Sequence, residues 1–413
     1  MEKSKIRKNL NLSTIEGMFW AIMYGSGDSY ISALGVFLGF TAFQISLLNS
    51  IPQFIGSCFQ LLSATIKNKF QSIRKFVSII SLIQALMWII LVYLIKNYDS
   101  YLIILIWTCL YFSLASVIAP AWTAWMGYFV PNRLRARYFG RRNRIIGFTT
   151  FIATFIAGYI LEIFDENMIS GFTIIFTIAF FGRLLSAFYL NKKYDFKQKE
   201  THNLYEYIKS FKNKANSNHS FYYIIFISYI SFSMMFFGPL FSIYMLRTMG
   251  FSIFIYTIVI TLFEIFNFSS SAFFGKIAEK IGDYNLLRIS VYIIILLPIF
   301  WILIYYIENK NYQILVTFIV SALAGTTFSA FNLSSFNLIY KISNKEDIIY
   351  FSSVINFSRG TAILIGGISA GFLVESNIAQ DISILFNTIP IHVSMVLSII
   401  LRLFCLPLIL KLK

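Results

Sequence analysis

A chain of 413 residues that is 58% hydrophobic and 13% charged, with a mean hydropathy of +0.72, holds more apolar surface than a water-soluble core of that size can bury. That excludes a large soluble domain. The formal net charge of +16 would suit nucleic acid in a soluble protein, so the position of the basic residues has to decide what it means.

Crossing roughly 30 Å of hydrocarbon takes about 20 helical residues. Apolar runs of that length fall near 14–39, 43–66, 74–96, 101–127, 144–164, 168–190, 221–246, 253–275, 286–307, 312–340, 350–374 and 390–410, which predicts twelve spans and an all-α polytopic membrane protein. An even number puts both termini on one side. Assigning that side as cytoplasmic places most of the 34 Lys and Arg there; Lys96, Arg247 and Lys310 fall outside, and Arg183, Arg359 and Arg402 fall within spans. The opposite loops hold Asp99, Glu162, Asp165, Glu166, Glu308, Glu375 and Asp381. This is the positive-inside pattern, so the charge reports topology and no nucleic-acid partner is expected. The expected location is a cell membrane, the bacterial inner membrane, with cytoplasmic N- and C-termini.

Span one follows MEKSKIRKNL, runs to Phe40, contains Asp28 and lacks an A-x-A-like cleavage site, so it is read as uncleaved. Ser13-Thr14-Ile15-Glu16 has the form of a capping box at its start. Asp28 belongs to a stripe of small and polar residues, Ala21, Gly25, Asp28, Ser32, Gly35 and Gly39, spaced to share one helix face. In span two, Asn49 and Gln53 are candidate polar lining. Near the inner end of span four, Trp122 and Trp125 face one side, as interfacial anchors or as partners for a cation. Arg183 in span six and Arg402 in span twelve are expected to snorkel toward the cytoplasmic surface.

Residues 191–220 are polar and lysine-rich, and divide the chain into bundles 1–190 and 221–413. In span seven, Gly238-Pro239 breaks the helix near its middle. Span eight carries Thr257, Thr261, Glu264, Asn267, Ser271 and Gly275 on one face, and span eleven carries Ser352, Asn356, Arg359, Ala362, Gly366 and Ala370. An ionisable residue within the membrane is expensive and usually faces a cavity or a partner. Asp28, Glu264 and Arg359, with Gln53, Asn267 and Asn356, are therefore the candidate substrate or proton-coupling residues, and Glu264 is expected to pair with Arg359. Cys58, Cys109 and Cys405 lie inside spans without metal or redox spacing.

The two bundles repeat one another. AGYILE at 157–162 recurs as AGFLVE at 370–375, Gly39-Phe40-Thr41 as Gly250-Phe251-Ser252, Tyr138-Phe139 as Tyr350-Phe351, and Arg183-Leu184 as Arg402-Leu403. Matches in chain order at a nearly constant offset predict two pseudo-symmetric six-helix bundles. Such a parallel repeat with a cytoplasmic connector is expected of a transporter whose halves rock around a central site.

At this point the chain resembles the major facilitator superfamily over essentially its full length. FFGKIAEKIGDYNLLR at 273–288 looks like that family's G-x-x-x-D-R-x-G loop, with Gly275, Glu279, Lys280 and Gly282 at the glycine, acidic, basic and second glycine positions. The equivalent first-half loop departs from the pattern at Ser63 and Lys67. The resemblance implies that the motif's acid bonds to the start of a helix in the other half, closing a cytoplasmic gate. Here that gate would set Glu279 and Asp283 against the RLRARYFGRRNR segment with Arg137, Arg141 and Arg142. The resemblance also implies that spans 1, 4, 7 and 10 line a central path, joined by 2, 5, 8 and 11, which places Asp28, Glu264 and Arg359 on path-lining helices.

No H-E-x-x-H, nucleophile elbow or P-loop occurs, and His202, His219 and His392 are scattered. The expectation is therefore a secondary active transporter and not an enzyme, monomeric in the lipid bilayer. It would move a small-molecule solute by alternating access and need no cofactor beyond a proton gradient. A transport-inactive homologue serving as receptor or scaffold is the alternative.

Overall fold

A computed structural model describes residues 3–68, 70, 72–98, 100–130, 135–195, 218–342 and 348–412. Those residues are helical, with no strand among them. Among the described residues, eleven helices are long and apolar enough to cross a membrane. The opening helix, Lys3–Ser26, is not one of them: its first turns are basic, Asn9, Asn11 and Glu16 keep the rest of it too polar, and it stops at Ser26. The apolar run then continues as a 3-10 turn, Asp28–Tyr30, and a helix, Ile31–Phe37. These pieces together form span one.

The remaining spans are Ala42–Asn68, Ile73–Asn97, Tyr101–Phe129, Arg135–Ile163, Met168–Asn191, Asn218–Met234 with its continuation to Thr248, Ile253–Ile281, Asp283–Tyr305, Lys310–Ile342, Ile348–Glu375 and Pro390–Leu403 extended by Leu406–Leu410. One local expectation is corrected. Ser13 and Glu16 sit in mid-helix, so they cap nothing; the helix begins ten residues earlier because Lys and Arg are good helix formers in water. Between spans eleven and twelve lies a further short helix, Asn377–Leu385, capped by Ser376, whose hydroxyl accepts from Ala379 N at 3.3 Å.

The chain forms two compact units, residues 1–38 with 55–201, and residues 39–54 with 202–413. In the first unit, span one packs on spans five and six, and span three packs on spans four and six. In the second, span seven packs on eleven and twelve, and span nine on ten and twelve. Adding six to each number of the first set gives the second. Between apolar helices in lipid, close approach rather than water exclusion drives association, and small residues permit it. A Cβ at Gly25 would lie 2.8 Å from Thr150 O, one at Gly182 2.9 Å from Met23 N, and one at Gly366 2.6 Å from Phe232 O; one at Gly325 would overlap the Phe263 carbonyl.

The turn after the first span of each unit is also duplicated. Gly39 and Gly250 adopt φ of +80° and +64°, where a side chain would be strained. Two residues on, Thr41 Oγ1 accepts from Gln44 N at 3.2 Å and Ser252 Oγ from Ile255 N at 3.3 Å, each opening the next helix.

Within the second unit, Gly39–Phe54 is seated on span eleven. Phe43 N donates to Glu375 Oε1 at 2.7 Å, Ser46 Oγ donates to Gly367 O at 2.7 Å, and Arg247 Nη1 donates to Phe40 O at 2.7 Å. A Cβ at Gly367 would lie 2.5 Å from Ser50 Cβ, and one at Gly371 2.8 Å from Phe43 Cα.

Candidate functional site

In the first unit, the break in span one creates the site. Gly27 stands where a Cβ would meet the Trp88 ring at 2.5 Å, so only glycine lets that indole close on the chain. Breaking a helix in a membrane frees carbonyls that must be satisfied locally. Ser26 Oγ donates to Ile22 O at 2.7 Å and Ser29 Oγ to Tyr24 O at 3.1 Å. Asp28 is half-buried at the first position of the 3-10 turn, and Tyr111 Oη on span four donates to its Oδ1 at 2.6 Å. Tyr111 is wholly buried, stacked on Trp107 and edge-on to Trp88 with both centroids 5.0 Å away. The carboxylate thus has a fixed hydroxyl partner at the lip of an aromatic enclosure, and Arg183 is its cationic neighbour.

Arg183 does not snorkel. It is 3% exposed and donates to Gln84 Oε1 at 2.8 Å, Ser81 Oγ at 3.0 Å and Ser186 Oγ at 3.1 Å. Span three supplies enough acceptors for the guanidinium fork to be satisfied inside the bundle. Arg402, also buried, turns onto span nine in the second unit, with Nη1 donating to Ile294 O at 2.7 Å.

Ser13, Glu16, Trp122, Arg142 and Lys193 gather at the end of the unit where the chain begins. Arg142 pairs with Glu16 at 3.6 Å, its Nε donates to Ser13 O at 3.2 Å, and its guanidinium carbon lies 4.6 Å from the Trp122 ring centroid. Lys193, just past span six, is fully buried, with Nζ 4.2 Å from the Trp125 centroid and 3.2 Å from Met126 Sδ. Burial pushes its ammonium down to about 8, opposed by nearby Glu16 and assisted by Arg142. Of the two readings of the tryptophan pair, each ring holds a cation.

In the second unit, span seven breaks at the 3-10 turn Gly238–Leu240 and continues to a π turn, Tyr244–Thr248. Span twelve satisfies freed carbonyls there: Ser398 Oγ donates to Ser233 O at 2.6 Å, and Ser394 Oγ bonds to Phe236 O. Glu264 is half-buried on span eight, with Asn267 one turn on as its hydrogen-bond partner. Arg359 is exposed on span eleven with Tyr223 as its electrostatic neighbour, and Asn356 is half-buried one turn before it. The expected Glu264–Arg359 pair does not form, because span eight packs on span ten while span eleven packs on span seven. Gln53 is exposed and bonds back to Asn49 O at 2.9 Å.

At the loop between spans eight and nine, Gly282 has φ +84°, which explains the glycine. Gly275 is half-buried with open space beside it, and Glu279 and Lys280 are exposed in the last turn of span eight. Asp283, 5% exposed in the first turn of span nine, is the acid that is engaged: Asn337 Nδ2 donates to it at 2.8 Å and Lys341 Nζ lies 2.5 Å from Oδ2. Both of those partners belong to span ten of the same unit. Arg141 is exposed and Arg142 is paired with Glu16. Arg133, and the side chains of Arg137 and of Ser63 and Lys67 in the first-half loop, lie outside the described residues. Among these residues, sequence reasoning missed Tyr111 and Lys193, and it took Glu16 for a helix cap.

The family model of the major facilitator superfamily matches residues 13–367. Among solved structures, a mutant of the nucleoside transporter NupG superposes with a TM-score of 0.73 at 13% identity, covering 98% of each chain. A bacterial homologue of the iron transporter ferroportin, in an inward-facing state, gives 0.71 at 14% identity over 100% of this chain and 99% of that one. The D-xylose–proton symporter gives 0.70 at 11%, covering 97% of each. At those identities the likeness is one of fold. No curated protein matches the chain by sequence. The many apolar spanning helices among the described residues and a family match over most of the chain agree, and the chain belongs to the major facilitator superfamily, a multi-pass membrane transport protein and not an enzyme.

Proposed function

We propose that the protein is a secondary active transporter that carries a small solute by alternating access and couples that movement to protons. Its termini face the cytoplasm of a bacterial cell in this reading, and it works as a monomer. The observation that carries the proposal is Asp28, a carboxylate at the break of span one whose direct partner is the Tyr111 hydroxyl rather than a cation. A carboxylate held by a neutral donor among aromatic rings can exchange a proton without first breaking an ion pair. Glu264, paired with Asn267, offers the same chemistry in the second unit. Arg359, Asn356, Gln53 and Asn267 supply polar groups for solute contact.

The test is uptake into vesicles containing purified protein, with an imposed pH gradient and a mixed panel of metabolites and drugs. Uptake of at least one solute should follow the gradient, and Asp28→Asn and Glu264→Gln should remove that dependence. Uptake by both variants with the wild-type pH profile would refute proton coupling through these residues.

A further inference from the structure

The short helix between spans eleven and twelve, Asn377–Leu385, packs on both of them. Ser376 caps its start directly after Glu375, the last residue of span eleven. At its far end Asn387 takes a φ of +47°, Thr388 N donates back to Ser383 O at 2.8 Å, and Pro390 opens span twelve. So little chain separates this helix from its two neighbours that it lies at the level where they leave the hydrocarbon.

The register divides the helix into three faces, because successive residues turn by about 100°. Ala379 and Ser383 share the side that is buried. Beside them Ile378, Ile382 and Leu385 stand one turn apart in a row, the first 65% and the last 77% exposed, and Phe386 follows at 70%. The remaining side holds Asn377, Gln380, Asp381 and Ile384, all exposed. An open row of large apolar side chains beside a polar face is the make-up of a helix that lies in a membrane surface.

Its surroundings agree with that cover. Span eleven packs on span seven through Gly366, and away from that contact it exposes Ile365, Ile368 and Phe372, an apolar face turned to acyl chains that leads up to the turn at Ser376. Tyr306, exposed at the end of span nine, donates its hydroxyl to Thr388 Oγ1 at 3.1 Å; tyrosines collect at the membrane–water boundary, with the ring in the apolar layer and the hydroxyl in the polar one. Between Arg359 and Arg402 the sequence carries Glu375 and Asp381 but no Lys or Arg, so nothing here attracts an anionic headgroup.

We propose that Asn377–Leu385 is an interfacial helix whose Ile378, Ile382 and Leu385 row, with Phe386, is embedded in the acyl edge of the adjoining leaflet, the outer one in the orientation proposed above. Its partner is lipid hydrocarbon, whatever the headgroup. It fixes the depth at which span eleven ends, next to the Glu375 carboxylate that accepts the Phe43 N–H.

The test uses the full chain in phosphatidylcholine nanodiscs, with Cys58 and Cys109 replaced by alanine and Cys405 left in its buried place. Single cysteines introduced on the helix carry the fluorophore NBD. Ile378→Cys and Leu385→Cys should give blue-shifted emission that is quenched several-fold more by lipids bearing a nitroxide near the headgroup than by aqueous iodide. Gln380→Cys and Ile384→Cys should show the reverse, so the neighbours Ile384 and Leu385 separate the register from hydrophobicity alone. Exchanging phosphatidylcholine for phosphatidylglycerol should leave the pattern unchanged. Equal iodide quenching at all four positions would place the row in water, and protection of Ile378→Cys and Leu385→Cys from both quenchers would mean a protein cover, a second copy included. Either result overturns the proposal, as does insertion that appears only with phosphatidylglycerol. The two cysteines on the row report the same face, so one decides if the other variant does not fold.

Discussion

Glu375 closes span eleven and accepts the Phe43 N–H at 2.7 Å, at the end of span two where the first turn leaves backbone donors without partners. Replacing it by alanine removes a side-chain cap, worth roughly 0.5–2 kcal/mol. It also removes an anion at a helix amino terminus, worth about 0.3–1 kcal/mol. The two overlap, so we expect about 1–2 kcal/mol, which is roughly a 5–30-fold change in an equilibrium constant. The equilibrium is between the Gly39–Phe54 segment seated on span eleven and the same segment lifted from it. Ser50 reads this out, because it is fully buried against Gly367. A cysteine there, in a chain with Cys58 and Cys109 replaced by alanine, reacts with a small maleimide only when the segment lifts. Labelling should be roughly 5–30 times faster in Glu375→Ala, with Glu375→Gln in between. An unchanged rate would show that Ser46–Gly367 and Arg247–Phe40 hold the segment without help from the carboxylate.

Two further predictions concern stability. Gly325→Ala drives a methyl into the Phe263 backbone, whereas Gly140→Ala meets nothing within 4 Å; the first should cost about 1–3 kcal/mol and lower the detergent Tm by several degrees, while the second should leave it level or raise it. Equal Tm values for the two variants would refute the close crossing of spans eight and ten. Lys193, with its ammonium pushed down to about 8 from 10.5, stays charged and costly in the native state below pH 8. It is neutral there, but charged when unfolded, between about 8 and 10.5, so its effect on native stability improves as pH rises through that window. Lys193→Met should therefore be more stable than wild type at pH 7, by on the order of 3 kcal/mol, with the gap narrowing toward pH 10. A Tm difference that is the same at both pH values would contradict the burial penalty.

The spans were legible because lipid enforces a crude rule, enough apolar residues in a row, and the duplication was legible because glycines with positive φ cannot drift. Gly39 and Gly250 carried both signals. The break at Gly238-Pro239 was visible since proline announces itself; the matching break at Gly27-Asp28 was hidden, because glycine and serine also occur in packed helix faces. Glu16 was misread because Ser-x-x-Glu has the same spacing in a cap and along a helix side. The Glu264–Arg359 pair failed for a similar reason: periodicity gives the face a residue occupies but not which helix lies opposite. Tyr111 had no signal at all among 25 tyrosines, and only the fold brings it to Asp28.

The two breaks occupy the same place in their bundles and are filled differently. One receives an acid, the other a ring without a backbone N–H that neither gains nor loses charge. Twin halves built on one plan are therefore chemically lopsided at their joints. Moving the acid across, as Asp28→Pro with Pro239→Asp, would not yield a mirror-image machine, because Tyr111 and Arg183 would stay behind on the original side.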